Sequence, residues 1–208
     1  MTANTELMSQ AKESLSGKWL LAIGTMLVYF IVVGAIQAIP FAGPLVGIVI
    51  GGPFALGLII FSKNIANDTD ARLEQVFDGF KNFGTALATY LLSAVAIMIG
   101  ILLFVIPGII LGLGLSLSMY IISDDPEIGA YDALKKSWEM MKGYKVKYFG
   151  LGLLFFGLAI LCVLTLGIGF LWLIPFTQVT LVKFYQDVKT DYELKNGSSQ
   201  PEDATTDI

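Results

Sequence analysis

This chain of 208 residues has no histidine and one cysteine, Cys162. Without histidine it can have no histidine metal ligand, no histidine general base and no Ser-His-Asp triad. A single cysteine excludes an intrachain disulfide, a CxxC redox pair and a cysteine zinc site. We therefore expect no metal and no cofactor, and the sequence assigns no catalytic residue.

Charge is also scarce. Charged residues make up 14% of the chain and hydrophobic residues 55%, with a mean hydropathy of +0.74, whereas soluble proteins carry roughly 25% charged residues. A soluble fold this poor in charge could not cover its own surface, so lipid is the expected solvent. The net charge of −4 argues against a nucleic-acid-binding face.

The charges that are present lie in four segments. Residues 1–18, 63–81, 124–147 and 183–208 hold all of them, and the blocks 19–62, 82–123 and 148–182 are free of charge. One bilayer crossing needs about 20 apolar residues, so each block suits two crossings joined by a turn. Turn residues near the middle of the blocks are Pro40–Pro44, Pro107-Gly108 and Gly167–Gly169. The pattern predicts an all-α polytopic membrane protein with six transmembrane helices arranged as three hairpins.

The predicted spans share one transmembrane domain, residues 1–189. They cover approximately residues 19–39, 45–62, 86–106, 108–123, 148–166 and 169–185. Residues 190–208 lack apolar periodicity and are predicted to be a disordered acidic cytoplasmic tail.

The placement of charge also predicts orientation. If every block crosses twice, all 13 Lys and Arg residues lie on one face, which the positive-inside rule identifies as cytoplasmic. Both termini are then cytoplasmic, and we expect a multi-pass protein of the bacterial cell membrane. A cleaved signal peptide is disfavoured because Glu6 and Glu13 precede the first block and Ile36-Gln37-Ala38 is a poor cleavage site.

A partial repeat of about 62 residues runs through the chain. Gly17, Gly79 and Gly143 each stand beside a lysine and an aromatic residue, 62 and 64 residues apart. An amphipathic pattern precedes each block, at approximately residues 5–16, 70–81 and 126–142. For the third pattern we predict Asp125 as the helix N-cap and Pro126 as its first residue.

Two sets of residues are candidates for function. The first would contact anionic headgroups or a protein partner at the cytoplasmic face: Lys135, Lys136, Lys142, Lys145, Lys147, Trp138 and Phe77. Five acids in residues 124–147 balance these five lysines, which favours a role in orientation alone, and the amphipathic helices could equally be internal braces. The second set would pack helices or line a cavity: Gly47, Gly51, Gly108, Gly112 and Gln178.

Several motifs along the chain resemble one known family. They are Ser16–Trp19, Phe77–Lys81, Ile106–Ile110, Asp124–Ala130, Lys135–Gly143, Leu166–Gly169, Pro175-Phe176 and Phe184–Asp187. The chain resembles the bacterial integral membrane proteins grouped as domain of unknown function 975, which implies a multi-pass fold and no assigned activity. More loosely, the hairpin pattern is similar to the membrane domain of some glycerophosphodiester phosphodiesterases, which implies a lipid-facing context.

Three functions remain open at this stage. The leading hypothesis is a non-enzymatic accessory, interaction or envelope-homeostasis factor acting at the cytoplasmic membrane surface. The alternative is a carrier or pathway for a lipid or other amphiphile between the hairpins. The least favoured is a cytoplasm-facing membrane enzyme that uses Asp124, Asp125 or Glu127. Membrane lipids and a cytoplasmic protein are the expected partners, nucleic acid is not, and the oligomeric state is left open.

Overall fold

The computed structural model describes residues 1–197, and these residues contain helices and no strand. The α-helices are α1 (Asn4–Leu15), α2 (Trp19–Gln37), α3 (Ala42–Ala66), α4 (Phe83–Leu103), α5 (Val105–Leu115), α6 (Ser118–Asp124), α7 (Ala130–Met140), α8 (Lys145–Leu164) and α9 (Phe170–Gly197). A 3₁₀ helix, Leu73–Asn82, lies between α3 and α4. The all-α class predicted from the sequence is confirmed.

Five segments are long and apolar enough to cross a membrane. They are Trp19–Gln37, Ala42–Ala66, Leu73–Leu103, Val105–Asp124 and Lys145–Leu164. Helix α9, the predicted sixth span, is not among them because Gln178, Lys183 and the polar residues after Lys183 lower its hydropathy. The described residues thus have the composition of a multi-pass membrane protein.

Burial is uneven across the fold. The window of α8 that is most apolar is 11% buried and that of α2 is 17% buried, whereas the window of α3 is 50% buried. Large apolar side chains such as Leu20 and Leu102 are 88% and 86% exposed. An apolar surface of this kind is stable when hydrocarbon surrounds it.

The buried core gathers where the amphipathic segments meet the long helices. Leu7, Ala11 and Leu15 of α1 are almost fully buried, and α1 packs against α9 and α3. Their spacing of four residues puts the three side chains on one helix face. This face therefore points into the protein.

The second amphipathic segment is a 3₁₀ helix rather than the predicted α-helix at 70–81. Three residues per turn place Val76 and Gly79 on one side, and that side lies against α3. A Cβ on Gly79 would clash with the Pro53 carbonyl, and a Cβ on Gly57 would clash with the Val76 carbonyl. The two glycines therefore let the backbones of the 3₁₀ helix and α3 approach closely.

The third amphipathic helix begins later than predicted. Helix α7 starts at Ala130, and residues 126–129 form a turn. Asp125 is not its N-cap: Asp125 Oδ1 accepts the Glu127 N–H at 3.3 Å, and its backbone is extended (φ −133°, ψ 89°). A residue that precedes proline is pushed out of the helical region, so Pro126 starts a turn here instead of a helix.

The turn of the second block also differs from the prediction. Helix α4 ends at Leu103, Phe104 is extended, and α5 begins at Val105. Pro107 and Gly108 lie in the first turns of α5 rather than in the connection. Proline is tolerated there because its missing N–H would have no partner within the helix.

The predicted span 108–123 is interrupted. Helix α5 ends at Leu115 and α6 begins at Ser118, because Ser137 of α7 replaces the local helical bonding. The Leu117 N–H donates to Ser137 Oγ at 3.1 Å, and Ser137 Oγ donates to the Gly114 carbonyl at 2.9 Å.

The predicted tail at 190–208 is wrong in its first part, because residues 190–197 continue α9. This extension is anchored by side chains: Tyr144 donates to Asp191, and Lys195 pairs with Asp191 at 2.6 Å. Residues 198–208 lie outside the described residues.

Candidate functional site

The five predicted lysines fall into two groups. Lys147 pairs with Asp187 at 3.0 Å, and Lys145 Nζ lies 3.4 Å from the centroid of the Trp138 ring. The other three, Lys135, Lys136 and Lys142, are exposed and form no ion pair with any residue in 1–197. The structure therefore brings two lysines into packing contacts and leaves three on the surface.

Asp187 joins three separate segments. Its carboxylate accepts the Thr2 N–H at 3.0 Å and the Thr2 hydroxyl at 3.0 Å, and it pairs with Lys147 at the start of α8. The Asp187 side chain is 17% exposed. Burial raises the pKa of this carboxyl, but the hydrogen bonds from Lys147 and Thr2 together outweigh burial, so the net pKa is lowered. Asp187 is thus a charged link between the N-terminus, α8 and α9.

Asp124 forms a second junction. Its carboxylate accepts hydrogen bonds from Lys189 at 2.5 Å, from the Tyr185 hydroxyl at 2.7 Å and from Lys63. These donors come from α9 and α3, so the carboxylate joins the ends of three helices. Because three donors already occupy its oxygens, Asp124 is held in a structural ion-pair network.

The other predicted acids stand apart from that network. Asp125 and Glu127 are exposed in the turn before α7. Across residues 1–197 no group of three or more Asp, Glu or Cys side chains is placed to hold a metal ion. The structure does not bring the three predicted acids together as a catalytic cluster.

The predicted interfacial aromatic residues take part in internal packing. Phe77 is 43% exposed, and its ring packs edge-on against Phe54 of α3 with centroids 5.8 Å apart. Trp138 is half-buried between Lys145 and Gly114. On α7, Ala133, Ser137 and Met140 are buried. The apolar faces of the amphipathic segments are therefore turned inward, as the brace hypothesis expects.

The small residues of α3 and α5 accommodate particular neighbours. A Cβ on Gly47 would lie 2.5 Å from Gln37 Nε2, and one on Gly51 would lie 3.2 Å from the Tyr90 ring. On α5, a Cβ on Gly108 would lie 2.7 Å from the Ile101 nitrogen, whereas one on Gly112 would lie 3.9 Å from Ile97 Cδ1. Gly108 thus marks a close backbone approach, and Gly112 does not.

Gln178 makes no hydrogen bond to another helix within residues 1–197. It is half-buried on α9, and its amide has no hydrogen-bond partner among the residues that the structure describes. It also lies outside the linings of the two cavities described below.

An apolar groove is the feature that the sequence did not predict. Its volume is about 400 Å³, and it opens onto the surface between α8, α9 and the corner of α1 and α2. It is lined by Lys12, Trp19, Leu158, Leu161, Cys162, Thr165, Gly169, Trp172, Leu173 and Phe176. Tryptophans at the starts of two helices were the available signal, but sequence spacing could not show that α1 and α2 approach α8 and α9.

A second cavity is smaller and more polar. It measures about 330 Å³ and includes Asp78, Lys81, Asn82 and Glu127 in its lining. Asp78 and Lys81 pair with each other at 2.6 Å. The two cavities therefore differ in chemistry, and the apolar groove is the one suited to hydrocarbon.

Comparison with known proteins gives one match. No curated protein and no solved structure matches the chain. The model of a family described as "protein of unknown function (DUF975)" matches residues 94–191, while the motifs Ser16–Trp19 and Phe77–Lys81 lie outside the matched region. The match confirms the resemblance drawn from the sequence, since residues 94–191 are similar to the DUF975 family of proteins of unknown function.

Proposed function

We propose that this chain is a non-enzymatic membrane protein of the bacterial cell envelope that acts as an accessory or interaction factor at the cytoplasmic surface. The observation that carries this proposal is the separation of the lysine cluster. Lys145 and Lys147 are engaged internally, while Lys135, Lys136 and Lys142 are exposed. Exposed cations beside a membrane attract anionic headgroups or acidic protein surfaces.

The topology in this proposal has six spans, with α9 as the sixth. Val179, Val182 and Tyr185 of α9 are buried, and α9 packs against α1, α2, α3 and α8. A central helix meets protein on several sides, so it tolerates more polar residues than a helix surrounded by lipid. With six spans the charged segments share one side, and both termini are cytoplasmic.

The hairpins and the repeat also belong to the proposal. Helices α4 and α5 support it, because Gly100 faces Gly108 and Ile97 faces Gly112, which is an antiparallel arrangement. In the first and third copies of the repeat, Gly17 (φ 75°) and Gly143 (φ 85°) follow a helix with left-handed backbone, as glycine does at helix C-termini. The second copy departs from this, because Gly79 lies inside the 3₁₀ helix.

Charge reversal on the exposed lysines tests the accessory role. We expect Lys135→Glu, Lys136→Glu and Lys142→Glu, made together, to leave the thermal stability of the purified protein unchanged and to remove partners or anionic lipids that co-purify with it. Lys81→Glu is the control, because Lys81 is 79% exposed but lies on the 3₁₀ helix. Unchanged bound components in a folded triple variant would remove the main support for the proposal.

A second candidate function is a carrier or pathway for a lipid, and the apolar groove favours it. A carrier requires movement of its cargo across or along the bilayer. We expect vesicles that contain the protein to move a fluorescent phospholipid between leaflets faster than protein-free vesicles. Equal rates would exclude transport of that lipid and would leave the accessory role untouched.

A further inference from the structure

We propose that the groove between α8, α9 and the corner of α1 and α2 is a binding site for one acyl chain of an anionic phospholipid, whose phosphate pairs with Lys12. This inference goes beyond the accessory role and requires no transport. Three features of the groove support it: the apolar lining, the opening towards lipid and the charge of Lys12.

The walls are suited to hydrocarbon. Leu158, Leu161 and Cys162 come from α8, and Trp172, Leu173 and Phe176 come from α9. The lining extends over five residues along each of these helices, which is roughly 6 Å at 1.5 Å per residue. A volume of about 400 Å³ accommodates part of an acyl chain but is narrow for a folded protein segment.

The groove opens where lipid is expected. The most apolar window of α8 is 11% buried, and Leu161 and Trp172 are 57% and 49% exposed. Acyl chains are therefore the molecules that reach this opening at high concentration. Because apolar walls accept any acyl chain, a site in this position distinguishes lipids through contacts with their headgroups.

Lys12 of α1 belongs to the groove lining, beside Trp19 at the start of α2. Asn4 Nδ2 donates to the Lys147 carbonyl at 3.1 Å, which places the beginning of α1 beside the beginning of α8. The α8–α9 turn, with Thr165 and Gly169, is at the far end of α8. The charge in the groove lining therefore comes from α1, and the residues contributed by α8, α9 and their turn are uncharged.

The Lys12 ammonium has no internal partner among the described residues, since no ion pair or hydrogen bond there involves it. Its neighbour Glu13 lies within electrostatic range of Lys183, and Lys18 pairs with Asp68 at 2.6 Å. Lys12 is thus the charged member of the groove lining. A lipid phosphate supplies the missing anion.

Tryptophan fluorescence provides the test. Trp19 and Trp172 line the groove and Trp138 does not, so a Trp138→Phe background limits the signal to the groove. The full chain is placed in phosphatidylcholine bilayers that contain a small fraction of phospholipid with brominated chains, which quench tryptophan. We expect brominated phosphatidylglycerol to compete for the site about fivefold better than brominated phosphatidylcholine, as one well-placed cation implies.

Lysine variants test whether Lys12 causes the preference for phosphatidylglycerol. Lys12→Gln should remove the preference for phosphatidylglycerol, while the matched control Lys81→Gln, at an exposed lysine of the 3₁₀ helix, should retain it. Equal quenching by the two brominated lipids in the unchanged background would overturn the proposal. So would a preference that persists in Lys12→Gln.

The single cysteine gives an independent readout without altering any tryptophan. Cys162 lines the groove, so phosphatidylglycerol added to the detergent-solubilised protein should slow its reaction with N-ethylmaleimide more than phosphatidylcholine does. An unchanged rate would show that the chain does not enter the groove. Failure here is distinguishable from failure of the accessory role, because the charge-reversed surface lysines lie outside the groove.

Discussion

At the scale of single residues, this protein uses its few charged side chains to connect helix ends. Asp124 joins α6 to α3 and α9, and Asp187 joins the N-terminus to α8 and α9. A partly buried carboxylate is stabilising when several donors satisfy it and costly when it loses one. Removing a partner of Asp124 or Asp187 should therefore cost more than removing an exposed charge.

The lowered pKa of Asp187 predicts a pH dependence. A carboxyl whose pKa is lower in the folded state stabilises the protein above its unfolded value, near 4, and this contribution disappears as the pH falls through the folded-state pKa. We expect Asp187→Asn to reduce stability by about 1–3 kcal/mol at pH 7. The difference from the unchanged protein should shrink below pH 4.

Thermal unfolding in detergent at a series of pH values measures this difference. Glu127→Gln is the matched control, because Glu127 is exposed in a turn and should give little difference at any pH. A gap for Asp187→Asn that stays constant down to pH 3 would contradict the linkage. The absence of a gap at pH 7 would contradict the structural role.

At the scale of elements, glycine position decides how closely two helices pack. Gly108 faces the backbone of α4, while Gly112, one turn further along α5, has only an ordinary contact. From the sequence spacing alone we would expect the same packing role for both glycines, because they belong to one stripe of small residues. The structure separates them because Gly108 lies nearer the one-residue connection at Phe104, where it meets the backbone of α4.

This difference predicts how an alanine substitution at each glycine changes the stability of the protein. Gly108→Ala places a Cβ 2.7 Å from the Ile101 nitrogen, so α4 and α5 must separate, and we expect a loss of about 1–3 kcal/mol. Gly112→Ala should be neutral or slightly stabilising, because alanine favours the helix.

The apparent melting temperatures of the two variants in the same detergent compare them directly. Equal destabilisation by Gly108→Ala and Gly112→Ala would show that helix propensity or lipid contact, rather than the close approach, sets the cost.

At the scale of the whole molecule, the buried core and the apolar surface occupy different regions. The amphipathic segments bury their apolar faces, α1 against α9 and α3, the 3₁₀ helix against α3, and α7 against α4, α5 and α6. Helices α2, α4 and α8 expose much of their apolar surface. A bilayer satisfies the exposed surface, and the internal packing of the amphipathic segments closes the charged side. The proposed orientation rests on the positive-inside rule, applied to this charged side.

Accessibility of introduced cysteines checks the orientation. In a Cys162→Ala background, single cysteines at Phe41, Phe104 and Ile168, which are 95%, 76% and 60% exposed, should react with a membrane-impermeant thiol reagent added outside intact cells. A cysteine at Lys135 should react only after the membrane is permeabilised. Outside labelling at Lys135 would reverse the proposed orientation.

The helical class, the membrane-like composition of the long helices and the positions of the charged segments could all be predicted from the sequence. These properties depend on local composition, because transfer of each segment into lipid depends mainly on its own side chains. The similarity to the DUF975 family could also be read from the sequence, through motifs that lie within the matched residues 94–191.

Contacts between residues that are far apart in the sequence are seen only in the tertiary structure. Ser137 interrupts the helix between Leu115 and Ser118, and Asp187 accepts a hydrogen bond from Thr2. The groove is lined by Lys12 and Trp19 together with residues of α8 and α9. No periodicity encodes such contacts, because each depends on which faces of separate helices meet. The groove is therefore a product of helix packing. Its residues are apolar because their helices face lipid, and its shape depends on how these helices pack together.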